Sequence, residues 1–373
     1  MVLWAKNAPV SARTRLGDII DFQADGCARG GSRLYSYLLR RIADDVSVGG
    51  VFGPLLLGFG HDRFGSAPLS QLMASVHRIV LEGRAPGLAC FYDSVGGWFD
   101  DDQDSITPGT SAAHGGAALW AAFVETALAN EEEIAAHLYR PDQTNHVGRS
   151  VAMLPGFLRI NELCPAPMRL FEVGASAGLN LRWDRYRYET PQWSFGPPSS
   201  RVIFRQPWAE RPPTIAGRPE VVERRGCDPL AIDSNSLGGK TALRSFIWPD
   251  DRGGRRQLDR AMALGEKHAI AIDSEHADTW LERKLEDPAP GTVTVVFHSM
   301  LLPSLSPLER DRLEATITGA GGRATADAPV AWLRLESIHG RAEARLTCWP
   351  HQRERVVARC GVNGPPVAWV AAA

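Results

Sequence analysis

The run Leu170-Phe171-Glu172-Val173-Gly174-Ala175-Ser176-Ala177-Gly178-Leu179-Asn180 constrains this chain more than any other. An apolar stretch carrying one acid gives way to five small residues, and helical spacing resumes at Leu179. Small side chains let the backbone turn tightly and let a ligand approach the main chain. A helix beginning directly after such a turn presents N–H groups without intrahelical partners. The sequence therefore predicts a strand, a tight turn and a helix, the unit from which parallel α/β sheets are assembled.

The flanking pattern agrees. After Pro165, β-rich runs at Arg169–Val173, Val221–Glu223, Ala269–Ile272, Thr292–Phe297, Val330–Leu335, Ala344–Cys348 and Val356–Arg359 alternate with helical ones. The helical segments are Leu179–Arg187, Gln257–Lys267, Ala277–Leu285 and Pro307–Thr318. Thr292–Phe297 is continuously apolar, as suits a strand covered on both faces. Before Pro165 the spacing is helical: Leu34, Tyr37, Leu38 and Ile42 share one face, as do Leu72, Val76, Ile79 and Val80. Ser111–His137 and Asn145–Ile160 continue it. The expected fold class is α/β, with a mostly helical N-terminal domain over residues 1–160. A Rossmann-like domain over 161–373 follows, with a mainly parallel sheet, helices on both faces and the Gly174–Gly178 turn at the strands' carboxyl edge. Residues 189–219, rich in Pro, Trp and Arg, follow neither period and read as an insertion.

Composition removes several classes. Charged residues make up 23% and hydrophobic residues 44%, the balance of a folded soluble chain. A formal net charge of −2, with Arg scattered among acids, gives no stripe for nucleic acid and no attraction to an anionic membrane. Lys occurs only at Lys6, Lys240, Lys267 and Lys284, the Arg-for-Lys bias of a GC-rich bacterial genome. Six cysteines without a Cys-x-x-Cys pair fit thiols in a reducing cytosol, and neither a signal peptide nor a membrane span is expected. A cytoplasmic protein is the expectation.

The turn resembles two motifs. One is the acid-x-Gly-x-x-x-Gly loop of class I methyltransferases, filled by Glu172, Gly174 and Gly178, with Ser176 where the fuller pattern has a glycine. That resemblance implies S-adenosylmethionine as cofactor. The turn would wrap its methionine part, with Glu172 near the amino group and Ala175, Ser176 and Asn180 beside it. It also implies Asp228 after the second strand for the ribose hydroxyls and Asp278 after the third for adenine. A carboxylate accepts two hydroxyl donors at once. Asp228 follows the turn by about fifty residues, against about twenty in a simple unit, and the insertion accounts for the excess. The other motif is Gly-x-Ser-x-Gly, the nucleophile elbow of α/β-hydrolases, in which Ser176 attacks, Asp228 is the triad acid and His114-Gly115-Gly116 mimics an oxyanion hole. Glu172 has no role in an elbow, and His114 has no strand before it to aim N–H groups, so the cofactor loop is preferred. A nicotinamide fingerprint would need Gly at Ser176 and Leu179.

A wider resemblance rests on Phe171–Tyr188 (FEVGASAGLNLRWDRYRY), Asn145–Ser150 (NHVGRS), Arg225–Asp228 (RGCD), Leu243–Asp250 (LRSFIWPD), Phe297–Ser299 (FHS) and Ala324–Leu335 (ATADAPVAWLRL). Together these resemble the bacterial domain-of-unknown-function family 2332 over nearly the whole chain. The resemblance implies fold and chain organisation and transfers no catalytic residue.

Other candidates carry two readings each. His298 stands after an apolar strand, at the rim where active sites form, and is the catalytic candidate beside a structural role. Asn145, Arg149, Trp183 and Tyr186 are substrate-pocket candidates, beside helix bridging and core packing. Asp228 reads equally as a turn residue and Asp278 as a helix-surface residue. No His-x-x-x-His or Cys/His cluster occurs, so no metal is expected. No Asp/Asn-Pro-Pro-Tyr motif follows the fourth strand, which argues against methylation of nucleic-acid bases and amide nitrogens. The expected function is methyl transfer from S-adenosylmethionine to a small molecule. The alternatives are a serine hydrolase using Ser176 and a non-catalytic metabolite-binding protein. Oligomeric state stays open.

Overall fold

The computed structural model describes residues 10–56, 67–100, 115–140, 143–209, 212–213, 215, 217–338, 341–350 and 354–370. The chain forms two units, Met1–Thr144 with Thr241–Arg255, and Asn145–Lys240 with Arg256–Ala373. Helices α1 (Val10–Arg29), α2 (Arg33–Ser47), α3 (Phe52–Leu56), α4 (Ala67–Leu81), α5 (Pro86–Ala89), α6 (Gly116–Ala129) and α7 (Glu131–Leu138) belong to the first unit. Helix α8 (Arg149–Leu163) opens the second, α9 (Leu237–Ser245) and α10 (Arg252–Lys267) bracket the segment that returns to the first, and α11 (Ala277–Lys284) and α12 (Pro307–Gly322) complete the set.

In the first unit the apolar helical spacing becomes a core. Leu34, Leu38 and Ile42 of α2 and Leu72, Val76, Ile79 and Val80 of α4 are buried, while Tyr37 is half-buried. The start of α2 is fixed twice. The Ser32 hydroxyl accepts from Tyr35 N at 3.2 Å and donates to Asp250 at 2.7 Å, and Asp250 also accepts from Leu34 N at 3.2 Å. Such caps satisfy N–H groups that the helix cannot. His77 of α4 is fully buried between Ser245 and Ser94. The single helix expected over Ser111–His137 breaks at Asn130. The Asn130 amide donates to Thr126 O at 2.8 Å, competing with helix propagation, and Glu131–Glu133 then sit in a new first turn, where negative charge is favoured.

The second unit is built on an eight-stranded sheet. Its strands are β1 (Met168–Val173), β5 (Val221–Cys227), β6 (Ile272–Asp273), β7 (Val293–Ser299), β8 (Val330–Ile338), β9 (Arg341–Trp349), β10 (Arg355–Gly361) and β11 (Gly364–Trp369). They lie in the order β11-β10-β9-β8-β7-β1-β5-β6. The run β6-β5-β1-β7-β8 is parallel throughout. The expectation of a mainly parallel sheet needs correction at the other end, where β9, β10 and β11 are antiparallel. Ile338 and Arg341, like Gly361 and Gly364, are too close in sequence for the crossover that parallel pairing needs. β11 went unseen in the sequence because Pro365 and Pro366 break a strand pattern, yet an edge strand tolerates proline.

Helices cover both faces. On one, Phe171, Val173, Val296 and Trp332 pack with Trp280 and Leu281 of α11 and Leu313 and Ile317 of α12. On the other, α8 is apolar over nearly its whole circumference, and Phe157 meets Phe297 edge-on at 5.4 Å. A Cβ on Gly156 would come within 2.4 Å of Leu333, so glycine sets how closely α8 approaches the sheet. The stretch read as following neither period contains β3 (Ser194–Phe195) and β4 (Ile203–Arg205). With β2 (Arg187–Glu189) they make a three-stranded sheet over buried Tyr188, Phe195 and Phe204. Strands of two or three residues are too short to reveal a period. The helix expected over Leu179–Arg187 is a 3-10 helix, Asn180–Arg185.

Candidate functional site

Strand β1 has β5 on one side and β7 on the other. The chain therefore runs off in opposite directions from β1, which opens a crevice at the carboxyl ends of the strands. The small-residue turn sits at that point. Gly174, Ser176 and Gly178 all have positive φ, at +66°, +52° and +63°. A Cβ on Gly174 would stand 2.7 Å from Leu301, and one on Gly178 would stand 2.6 Å from Ile272. The glycines thus allow both the backbone path and close packing against β6 and the segment after β7. Ser176 holds a left-handed conformation at a cost of about 1–2 kcal/mol. Met300, just after β7, is a second non-glycine residue with positive φ, +55°. Both strained positions follow strands that meet at the crevice, and strain of this kind gathers at functional sites.

Hydrogen bonds brace the turn. Asp228, directly after β5, accepts from Ser176 N through Oδ2 at 2.9 Å and from Leu230 N through Oδ1 at 2.8 Å. The Asn145 amide donates to Ala175 O at 2.8 Å. Arg182 donates to Gly178 O at 2.8 Å and to His268 O at 2.9 Å. Tyr186 donates its hydroxyl to Leu179 O.

The electrostatics turn on Glu172. Burial pushes its carboxyl well above the usual range, Arg182 and Arg149 pull it down, and Asp228 pushes it up. One oxygen takes the Leu181 N–H, while Oε2 is buried and has no hydrogen-bond partner. Asn145 Oδ1, Ser176 Oγ and Asn180 Oδ1 are also buried without partners. Buried polar atoms are nearly always paired, so several orphans around one turn make it the candidate site. The two Asn oxygens are acceptors only, while the Ser176 hydroxyl and the Glu172 carboxyl, which burial pushes toward its protonated form, can also donate; the Trp183 indole N–H, in the segment after the turn, is a buried donor without a partner.

The structure thus gathers Glu172, Gly174, Ala175, Ser176, Gly178, Asn180, Asp228 and Asn145 around one turn. Arg149 lies beside them and donates through Nε to Val362 O at 3.0 Å. Trp183 and Tyr186 are fully buried, Trp183 stacking on Phe157 at 4.2 Å, so they support the turn from within the core. Asp278 joins none of these contacts. It caps Thr279 N and faces Arg312 at 3.6 Å. The acid ending the third parallel strand is Asp273, whose Oδ2 accepts from the Trp280 indole at 2.7 Å. His298 is fully buried with both ring nitrogens engaged, Nδ1 with Glu336 at 2.7 Å and Nε2 with the Trp332 indole N–H at 3.1 Å. Sequence reasoning missed Arg182 and Glu336. Nothing in the spacing singles out Glu336, because the strand Val330–Ile338 also carries Arg334 and Ser337.

Among the described residues the Ser176 hydroxyl has no hydrogen-bond partner, histidine included, and Asp228 holds backbone N–H groups instead. His114 lies outside the described residues. All six cysteines are free, with Cys90 exposed and the rest buried. Among the described residues, no group of three or more His, Cys, Asp or Glu is placed to hold a metal, and no helix is long and apolar enough to cross a membrane.

Fold and site together define a mixed α/β protein, helical at its N-terminal end, whose braced turn closes the central strand of a large, mostly parallel sheet. The chain belongs to the family described as "Uncharacterized protein conserved in bacteria (DUF2332)", whose model matches residues 18–369. No curated protein and no solved structure matches the chain.

Proposed function

We propose that the second unit binds S-adenosylmethionine at the turn after β1 and directs its methyl group to a small molecule. The observation that carries this reading is the cluster of orphaned oxygens at one turn: Glu172 Oε2, Asn145 Oδ1, Asn180 Oδ1 and the Ser176 hydroxyl. Orphaned atoms of this kind, acceptors once an ammonium group draws the Glu172 carboxyl into its ionised form, suit a ligand with an ammonium group and hydroxyls. A pyrophosphate would need donors there. The strand order β6-β5-β1-β7-β8 supports the reading, because the turn follows the strand where the order reverses, and open α/β sheets bind ligands at such positions.

When bound, S-adenosylmethionine supplies an electrophilic methyl group on a sulfonium. The residues present need only bind, orient and exclude water, since methyl transfer is largely a matter of alignment. Glu172 and Asn180 receive the amino group, Asn145 and Asp228 keep the turn in its strained form, and Ser176 adds one hydroxyl contact. A hydrolase would need a histidine on the Ser176 hydroxyl, and none stands there among the described residues. Calorimetry on the intact protein tests the reading. S-adenosylmethionine and S-adenosylhomocysteine should both bind, nicotinamide dinucleotides should not, and Glu172→Gln should weaken binding at least tenfold. No heat at millimolar ligand would sink the proposal.

A further inference from the structure

At the same sheet edge, a second carboxyl group lies outside the turn. Glu336, one residue beyond the last pair between β7 and β8, is 8% exposed. Its two oxygens are used unequally. Oε1 accepts both His298 Nδ1–H at 2.7 Å and Leu301 N–H at 3.0 Å, whereas Oε2 is buried with no partner. The Trp332 indole N–H, donating to His298 Nε2, fixes the proton on Nδ1 and so fixes the direction of the bond to Glu336. Trp332, His298 and Leu301 thus clamp one oxygen and leave the other to face outward from the clamp. Leu301, whose amide Glu336 holds, is also the side chain packed beside Gly174. The clamp and the turn are therefore coupled through one residue. Phe171 and Val173 join the cluster that contains Trp332, so by strand alternation Glu172 and Glu336 face opposite sides of the sheet. They are suited to different molecules meeting at the edge.

We infer that Glu336 Oε2 recognises a primary amine on the molecule that receives the methyl group; this rests on the methyl-transfer reading above. A buried carboxylate with one unpartnered oxygen is best matched by a group that brings N–H donors and positive charge together, and a neutral hydroxyl brings only the donor. The step balances with one proton transfer. The amine binds as an ammonium and gives one proton to Glu336 Oε2, the oxygen with no other partner. The lone pair so freed forms the new N–C bond while the C–S bond breaks and its electron pair stays on sulfur. Positive charge passes from sulfur to nitrogen, and the proton on Glu336 returns to solvent as the product leaves, so Glu336 both binds the amine and accepts its proton.

Ethanolamine is the probe, with ethylene glycol and acetate as controls, each titrated into the intact protein at constant ionic strength and followed by thermal unfolding. Ethanolamine at ten times its dissociation constant should raise the midpoint by about 3 °C. The controls should not, and Glu336→Gln should abolish the rise. If Glu336→Gln does not fold, Glu336→Asp, which keeps the charge but withdraws it, should weaken ethanolamine binding several-fold. No response of the wild type to ethanolamine, or an equal response in a folded Glu336 variant, overturns the inference. The calorimetry with S-adenosylhomocysteine is scored separately, so a failure of the cofactor reading and a failure at Glu336 give different results.

Discussion

His77 offers the sharpest quantitative test of how the first unit is held together. Its ring is fully buried, with Nδ1 3.1 Å from Ser245 O and Nε2 2.8 Å from the Ser94 hydroxyl. Nδ1–H donates to the carbonyl, Nε2 accepts from the hydroxyl, and the neutral ring is satisfied. Burial is the main reason its pKa falls from 6.5 to about 3. A lowered histidine binds its proton more readily when unfolded. Its contribution is therefore complete above pH 6.5 and declines as pH falls toward 3. The loss is roughly 2 kcal/mol by pH 5 and approaches 5 kcal/mol near pH 3. Asp93, held near 2 by Arg252 and Arg255, and Glu82 and Glu133, lowered by arginine partners, change protonation below that first interval. The step from pH 7 to pH 5 thus isolates histidine. His77→Gln keeps one donor and one acceptor in the same place but cannot take a proton. Hydrogen exchange of Ala67–Leu81 gives the opening free energy of α4 at both pH values. The wild type should lose about 2 kcal/mol more than His77→Gln over this step. An equal loss in both proteins would mean that His77 is not a buried neutral ring, and the reasoning would be refuted.

Two further outcomes follow from the turn. Asp228→Ala leaves the buried Ser176 N–H without a partner and the Leu230 N–H, on an exposed residue, to solvent, and should destabilise the second unit by about 1–3 kcal/mol in urea titrations; Asp228→Asn, which keeps an acceptor oxygen, should recover about half of that. Ser176→Ala should leave the folded state within about 1 kcal/mol of wild type, since its hydroxyl makes no bond to the protein, and a fluorophosphonate probe should leave Ser176 unlabelled; labelling would bring the hydrolase back.

How much of this was legible in the chain depends on what each feature needs. The turn at Gly174–Gly178 was readable because glycine, a small-residue run and a preceding apolar strand are local facts. β7 was readable because a strand covered on both faces must be apolar along its length. The antiparallel end of the sheet was half-readable: its strands show, but pairing direction follows from connection length. Asp228 was found with two readings, ribose ligand and turn residue, and only the structure shows both its oxygens on backbone N–H groups. Asp278 was preferred over Asp273 although Asp273 is the residue that ends β6, because a two-residue strand leaves almost no pattern. His298 was noticed for its position, while Glu336, 38 residues later in sequence, became visible only when β7 and β8 were laid side by side. A long-range pair leaves no trace in spacing.

The return of Thr241–Arg255 to the first unit bears on the order in which the protein can be finished. Asp250 caps a helix whose own cap residue, Ser32, lies 218 positions earlier, Trp248 occupies the space beside Gly30, and Ser245 supplies the carbonyl for His77. During synthesis from the N-terminus, the helical unit waits for these residues while β1 to β5 of the other unit have already been made. A chain cut after Thr144 would yield an N-terminal piece lacking a cap, a wall and a hydrogen-bond acceptor. The two units are interleaved in the gene, so neither can be inherited, truncated or shuffled as one uninterrupted segment.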